Sequence, residues 1–319
     1  MVRTGLAVAP HAIARQVRWP SVGVVLVTRD RPHLLRRALD SIRAQDYPGL
    51  MRVVVVYDGK VPDWSVASGG DRPVLTLENW RRAGTAGARN TGVLAVGDCD
   101  LVAFCDDRDT WTPAKLTTQV AALLSRPRTL ACTCAVEVEF DGVRTPQLAN
   151  LYVAQPDALT PRRVARLRSS SLVVRQAALA ADPERGGIGL FDEGAPSMGE
   201  EWDLLLRAAR RSPILHLDTP LVRVLWRRPA IDRAACRSEI AALRWMIDRH
   251  PELLRRQRTA AACYQQLALC HAAAADYAGA WGWTARALRT AGPRWATIRA
   301  ALAASGLIPR ERLAGYLRH

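Results

Sequence analysis

A chain of 319 residues, 49% hydrophobic and with a net charge of +15, has room for roughly two domains of ~150 residues around a large core. No uninterrupted apolar run reaches the ~20 residues that span a bilayer, and residues 1–20 lack the apolar centre of a secretory signal; a cytoplasmic protein is expected, with peripheral attachment at the inner membrane face as a second possibility. The charge is almost wholly arginine, since Lys60 and Lys115 are the only lysines; it attracts nucleotides and anionic lipid, while nucleic acid is not expected as a partner because no motif that reads it is present.

In chain order, Val22 to Thr28 is a continuous β-rich run that reads as a buried strand. Asp30-Arg-Pro32 then opens a helix, with Asp30 as its cap and Pro32 in its first turn. Leu34, Leu35, Ala38, Leu39 and Ile42 follow at helical spacing. A second strand over Arg52 to Val56 ends in Tyr57-Asp58-Gly59, and Val74 to Leu77 makes a short third. Gly84, Gly87 and Gly92 mark a turn that leads into a short helix and lets backbone approach a ligand. Leu101 to Cys105 is the next strand, and Asp106, Asp107 and Asp109 emerge together at its carboxyl end, where open α/β sheets bind ligands. Crowded carboxylates repel one another; a divalent cation with phosphate oxygens in its shell relieves that repulsion.

Thr112-Pro113 starts a further helix, striped by Leu116, Val120, Leu123 and Leu124, with Trp111, Pro113 and Lys115 fixing it in place. Ala131 to Phe140 alternates like an antiparallel strand. Alternation puts Cys132 and Cys134 on one face of it, as packing rather than metal ligands, and the seven cysteines read as reduced thiols. Ser170 to Val174 is a short strand, and His216 lies between apolar residues as a core histidine. The helix from Glu200 to Arg211 has acids at its start and arginines at its end, as the macrodipole favours.

The alternation of strands and helices predicts an α/β fold with a mostly parallel sheet covered on both faces. From residue 231 alanine, arginine, leucine and tryptophan dominate in amphipathic patterns. The chain therefore divides into an N-terminal extension (1–20), an α/β domain (21–230) and a C-terminal helical region (231–319). Within the last, residues 275–288 are faintly similar to half of a tetratricopeptide repeat.

Five segments carry a family resemblance: Thr28-Arg-Asp-Arg-Pro32, Val54-Val-Val-Tyr-Asp58-Gly59, Gly87-Ala-Arg89-Asn90-Thr-Gly92, Phe104-Cys-Asp106-Asp107-Arg108-Asp109-Thr-Trp111 and Gly199-Glu200-Glu201-Trp202-Asp203. In this order and spacing, residues 20–228 resemble a family 2 inverting glycosyltransferase of the GT-A fold. The resemblance implies a GT-A (Rossmann-like) mostly parallel mixed sheet flanked by helices, followed here by a C-terminal α-helical appendage. It also implies a nucleotide-diphosphate sugar donor. Thr28 and Arg31 would line the nucleoside pocket, and Asp58 would accept the imide N–H of uracil, against the plainer reading of an Asp-Gly turn. Arg89 and Asn90 would contact the nucleotide, and Arg227, beside Arg223 and Arg228, would reach the diphosphate.

Positions 106–109 correspond to the family's metal motif, where carboxylates usually fill nearly all four places and the third often supplies the direct ligand. Here the third is Arg108. Three accounts stay open: Asp106, Asp107 or Asp109 holds the cation instead, Arg108 itself neutralises the diphosphate, or the donor site is impaired. A retained Mn²⁺ or Mg²⁺ is the expectation. Glu201 stands where the family has its general base, one methylene longer than the usual Asp; Asp203 is the alternative base, and Glu200 and Trp202 would border the acceptor.

The function expected is inverting transfer of a sugar, from a UDP-sugar before other donors, to an unknown acceptor hydroxyl. A catalytically degenerate sugar-nucleotide-binding scaffold is the alternative that Arg108 and Glu201 favour. A nucleotidyltransferase would want a glycine-rich, lysine-bearing loop that Thr28 to Pro32 lacks. Trp245, Trp281, Trp283 and Trp295 are expected to pack within the C-terminal helices, which otherwise suit a homodimer or an anionic membrane surface.

Overall fold

A computed structural model describes residues 18–196, 199–225 and 233–308. Arg227, Arg228 and most of the N-terminal extension lie outside the described residues.

Among the described residues ten strands form one mixed sheet. β1 (Val22–Thr28), β2 (Met51–Tyr57), β3 (Val74–Glu78) and β4 (Leu101–Asp106) are parallel neighbours in the order β3-β2-β1-β4. Next to β4 the sheet changes sense through antiparallel β9 (Val173–Arg175). β6 (Ala131–Phe140) follows, then β10 (Ile214–Leu225) parallel to it, and β5 (Asp109–Trp111) closes that edge antiparallel. β7 (Val143–Gln147) pairs with β6 and β8 (Val153–Ala154) with β10. β6, read as antiparallel from its alternation, has antiparallel partners in β7 and β9 and a parallel one in β10.

The central strands bury both faces, which is why their apolar runs do not alternate. Val25, Val27, Val54 and Val56 point to one face, and Val24, Leu26, Val53 and Val55 to the other. α1 (Pro32–Arg43) and α3 (Lys115–Leu124) cover the second face through Leu35, Leu39, Ile42, Leu116, Val120 and Leu123. Cys132 and Cys134 join this same cluster, and among the described residues no cysteine is in a disulfide. Lys115 is buried with its Nζ 3.9 Å from the centre of the Trp111 ring. His216 is buried beside Thr133, with its Nδ1 2.9 Å from the hydroxyl.

Asp30 does not cap α1. It adopts a left-handed φ of 72° and pairs with Lys60 at 2.9 Å, so the cap position falls to Arg31. α2 (Thr85–Ala95) starts earlier than its glycines suggest. Gly92 serves the packing of this helix on β1, because a Cβ there would stand 2.3 Å from Val25 Cγ1. Two short helices follow, α4 (Pro161–Val164) and α5 (Gln176–Ala180). Ser170 and Ser171, read as the start of a strand, belong to a 3₁₀ turn, Ser169–Ser171, ahead of β9.

α6 (Gly199–Arg211) packs on the first sheet face with α2. The C-terminal helices, α7 (Arg233–Arg249), α8 (Gln257–Ala273), α9 (Tyr277–Ala291) and α10 (Trp295–Ala304), are more than an appendage. Leu243 and Met246 of α7 and Cys263, Leu267 and Cys270 of α8 lie in one buried cluster with Leu204, Leu205 and Val25. Of the four tryptophans, Trp245 and Trp283 pack against this cluster, whereas Trp281 and Trp295 are exposed. Among the described residues no helix is long and apolar enough to cross a membrane.

Candidate active site

The carboxyl ends of β1, β2 and β4 and the N-terminus of α2 frame a cleft of about 480 Å³. Thr28, Arg29, Arg31, Asp58, residues 82–87, Asp106, Asp107, Arg108, Glu193 and Glu200 line it. Parallel strands place their ends together, and the first turn of α2 presents backbone N–H groups and a positive dipole end to the same space.

Asp107 ties β4 to the loop after β1. Its carboxylate accepts from the Thr28 hydroxyl at 2.7 Å and Arg31 Nε at 3.0 Å, and Arg31 Nη2 is 2.9 Å from its other oxygen. Asp58 does the corresponding work for β2, accepting from Asn79 Nδ2 at 2.9 Å and from the Gly84 N–H at 3.0 Å.

Arg89, in the second turn of α2, is the centre of the charge network although only 2% exposed. Its Nη2 donates to Asp106 Oδ1 at 3.1 Å, Glu201 Oε1 at 2.8 Å and Ser169 Oγ at 2.7 Å, and its Nη1 to Glu200 Oε1 at 3.4 Å. Burial alone lowers the Arg89 pKa, but the charges of Asp106, Glu201 and Glu200 raise it above the ordinary value. The positive charge is therefore permanent. Burial pushes Glu200 up to about 7; Arg89 opposes the shift and the Glu201 charge adds to it. Among the described residues Glu200 Oε2 is buried without a hydrogen-bond partner, whereas the Glu201 side chain is 23% exposed.

Other residues singled out in the sequence are elsewhere. Asp109 lies beneath the cleft, accepting from the Ser170 hydroxyl at 2.5 Å. Burial and then Asp106 lift its pKa to about 7, against Arg168 and Ser170. Asn90 does not reach the cleft: its amide donates to Phe191 O at 2.9 Å and Glu193 Oε1 at 2.7 Å, and so positions Glu193. Trp202 is a core residue whose indole N–H donates to Leu159 O at 2.9 Å, not a wall for an acceptor. Asp203 is fully buried between Arg207 Nη2 at 2.7 Å and His250 Nε2 at 2.8 Å, about 200° around the helix from Glu201, which removes it as an alternative base. Arg223 pairs with Glu137 at 3.1 Å. Arg29, Arg82, Glu193, Ser169 and Ser170 were not singled out by sequence; the basic residues around Gly84 and the triple serine were the available signals.

At residues 106–109, where a metal is expected, each carboxylate already has a protein contact. Arg31 and Thr28 hold Asp107, Ser170 holds Asp109 in the interior, and Arg89 holds Asp106. Among the described residues no three His, Cys, Asp or Glu side chains are arranged to bind a metal ion.

Residues 23–174 match the family described as Glycosyl transferase family 2. The succinoglycan biosynthesis protein ExoW of Rhizobium meliloti (strain 1021) is 35% identical over 97 residues, 29% of this chain, and the match spans only 30% of that relative. Two solved structures share the fold. S. aureus TarS 1-349, in complex with UDP-GlcNAc, has a TM-score of 0.55 at 15% identity, over 86% of this chain and 93% of its own. The mannosyltransferase PcManGT from Pyrobaculum calidifontis, in complex with GDP-Man and Mn²⁺, has a TM-score of 0.57 at 18% identity, over 95% of this chain and 85% of its own. Sheet order, cleft and matched segment agree: residues 23–174 are similar to glycosyl transferase family 2, and the α/β part has the GT-A fold.

Proposed function

We propose that the protein is an inverting glycosyltransferase that moves a sugar from a nucleotide-diphosphate sugar, a UDP-sugar first, to an acceptor hydroxyl. The observation that carries this reading is Arg89. One buried guanidinium joins the turn at Asp106 on the donor cleft to the carboxylates of Glu200 and Glu201, so the donor and a candidate base share one corner. The nucleotide-sugar complexes of TarS and PcManGT support the donor class, and Asp58 on the cleft wall supports uridine.

Glu201 takes the acceptor proton on the oxygen that Arg89 leaves free. The acceptor oxygen then bonds to the anomeric carbon as the bond to the diphosphate breaks, and the nucleoside diphosphate departs with the electron pair. The α2 N-terminus and the arginines of the cleft stabilise that charge, preorganised electrostatics being usually the largest catalytic contribution. Alignment of the two substrates supplies much of the rest.

The test is nucleoside diphosphate release from a panel of UDP- and GDP-sugars, with the anomeric configuration of the product read by NMR. UDP release with inversion is expected. Retention of configuration overturns the mechanism. UDP binding without release from any donor favours the scaffold reading.

A further inference from the structure

Every carboxylate on the cleft wall already has a protein donor on at least one oxygen, while the side chains of three arginines there form no ion pair among the described residues. Asp58 is held by Asn79 and the Gly84 N–H, Asp106 and Glu200 by Arg89, Asp107 by Thr28 and Arg31, and Glu193 by Asn90. By contrast, Arg29, Arg82 and Arg108 line the same cleft, are exposed, and form no ion pair among the described residues, unlike Arg31. A hard divalent cation wants free carboxylate oxygens, and a guanidinium at the metal-motif position repels it. A diphosphate has the opposite needs, because its oxygens accept paired N–H donors from a guanidinium fork.

We propose that the donor site works without a divalent metal, and that Arg108, aided by Arg29 and Arg82, supplies the positive charge that holds the diphosphate. The inference rests on the transferase reading and narrows its donor chemistry. Arg108 takes no proton and forms no bond in the transfer. It stabilises the electron pair that the leaving diphosphate carries away, where a metal would otherwise stand. The GDP-Man and Mn²⁺ complex of PcManGT makes this a difference between two proteins that share a fold.

The experiment titrates UDP and GDP calorimetrically into the full chain, in EDTA and in Mn²⁺, for the native protein, Arg108→Ala and Arg108→Asp. Arg108 is exposed, so neither variant threatens the core. The native protein is expected to bind UDP equally in both buffers. Arg108→Ala should weaken UDP ~10-fold or more in both, the loss of one charge-assisted hydrogen-bonded pair. Arg108→Asp should bind poorly in EDTA and recover in Mn²⁺, because it restores a carboxylate ligand. Native binding that collapses in EDTA, or an Arg108→Ala variant that binds normally, overturns the inference and leaves the transferase reading intact. Failure of both nucleotides to bind the native protein in either buffer overturns both.

Discussion

The turn at 106–109 and the helix start at 200–203 each hold three acids in four positions, yet they distribute their charge in different ways. At the turn the acids fan out: Asp106 goes to Arg89, Asp107 to Arg31, and Asp109 into the interior below Ser170. At the helix start Glu200 and Glu201 converge on Arg89, while Asp203 turns away to Arg207 and His250. Spacing tells which charges are close along the chain; the element decides where they point. Successive residues of a strand alternate between faces, and those of a helix step ~100° around its axis. Among the described residues only Arg89 belongs to both groups, so one buried cation couples a donor-side acid to the acceptor-side pair.

The sharpest way to break this comparison is at Glu201. Glu201→Gln keeps the shape and the contact to Arg89 but removes the base. A drop in kcat of ~10²- to 10⁴-fold is expected, with UDP affinity unchanged because Glu201 is not among the residues lining the donor cleft. Steady-state kinetics beside UDP calorimetry reads both. Parallel loss of binding and turnover would assign Glu201 to donor binding instead.

Asp203 gives the contrasting result. Asp203→Asn leaves Arg207 and His250 against a neutral partner in the core, where Arg207 is only 14% exposed and His250 3%. Breaking a buried pair typically costs about 3–5 kcal/mol, so the midpoint of urea unfolding should fall sharply while kcat per folded molecule holds. His250 follows α7, and proteolysis should therefore open the C-terminal helices first. Normal stability with lost turnover would return Asp203 to the chemistry.

What sequence made legible follows from the range of each interaction. β1, β2 and β4 announce themselves as continuous apolar runs because burial on both faces is written residue by residue. β5 is invisible in sequence, since three residues, Asp109–Trp111, form it only by pairing with β10. Arg89 could be placed near the donor by family resemblance. Its bonds to Glu200 and Glu201 span 111 and 112 positions and have no local pattern. Ser170 was read as strand and Ser169 was passed over because their roles lie in the side chains. For α7 and α8 an amphipathic stripe says which side is buried, not that Met246 and Leu267 meet the cluster of α6 and β1.

The smallest expected effect sharpens the comparison through pH, since each cluster holds one carboxyl that burial lifts to about 7, Asp109 at the turn and Glu200 at the helix start. In the unfolded chain such groups titrate near ~4. Between these values the folded protein binds more protons than the unfolded one, so stability falls as pH rises through the window. Asp203 moves the other way: burial raises its pKa, but the His250 hydrogen bond and the Arg207 charge outweigh it and hold the carboxyl below its usual range, so its titration does not mask the effect. Calorimetric Tm values from pH 5 to 8 should therefore decline in the native protein and decline less in Asp109→Asn, which keeps the Ser170 contact without an ionisable group. Glu200→Gln should flatten the other half of the slope. A native Tm that stays flat or climbs across this range would mean that neither carboxyl is lifted, and the burial that sets the two clusters apart from ordinary surface acids would not hold.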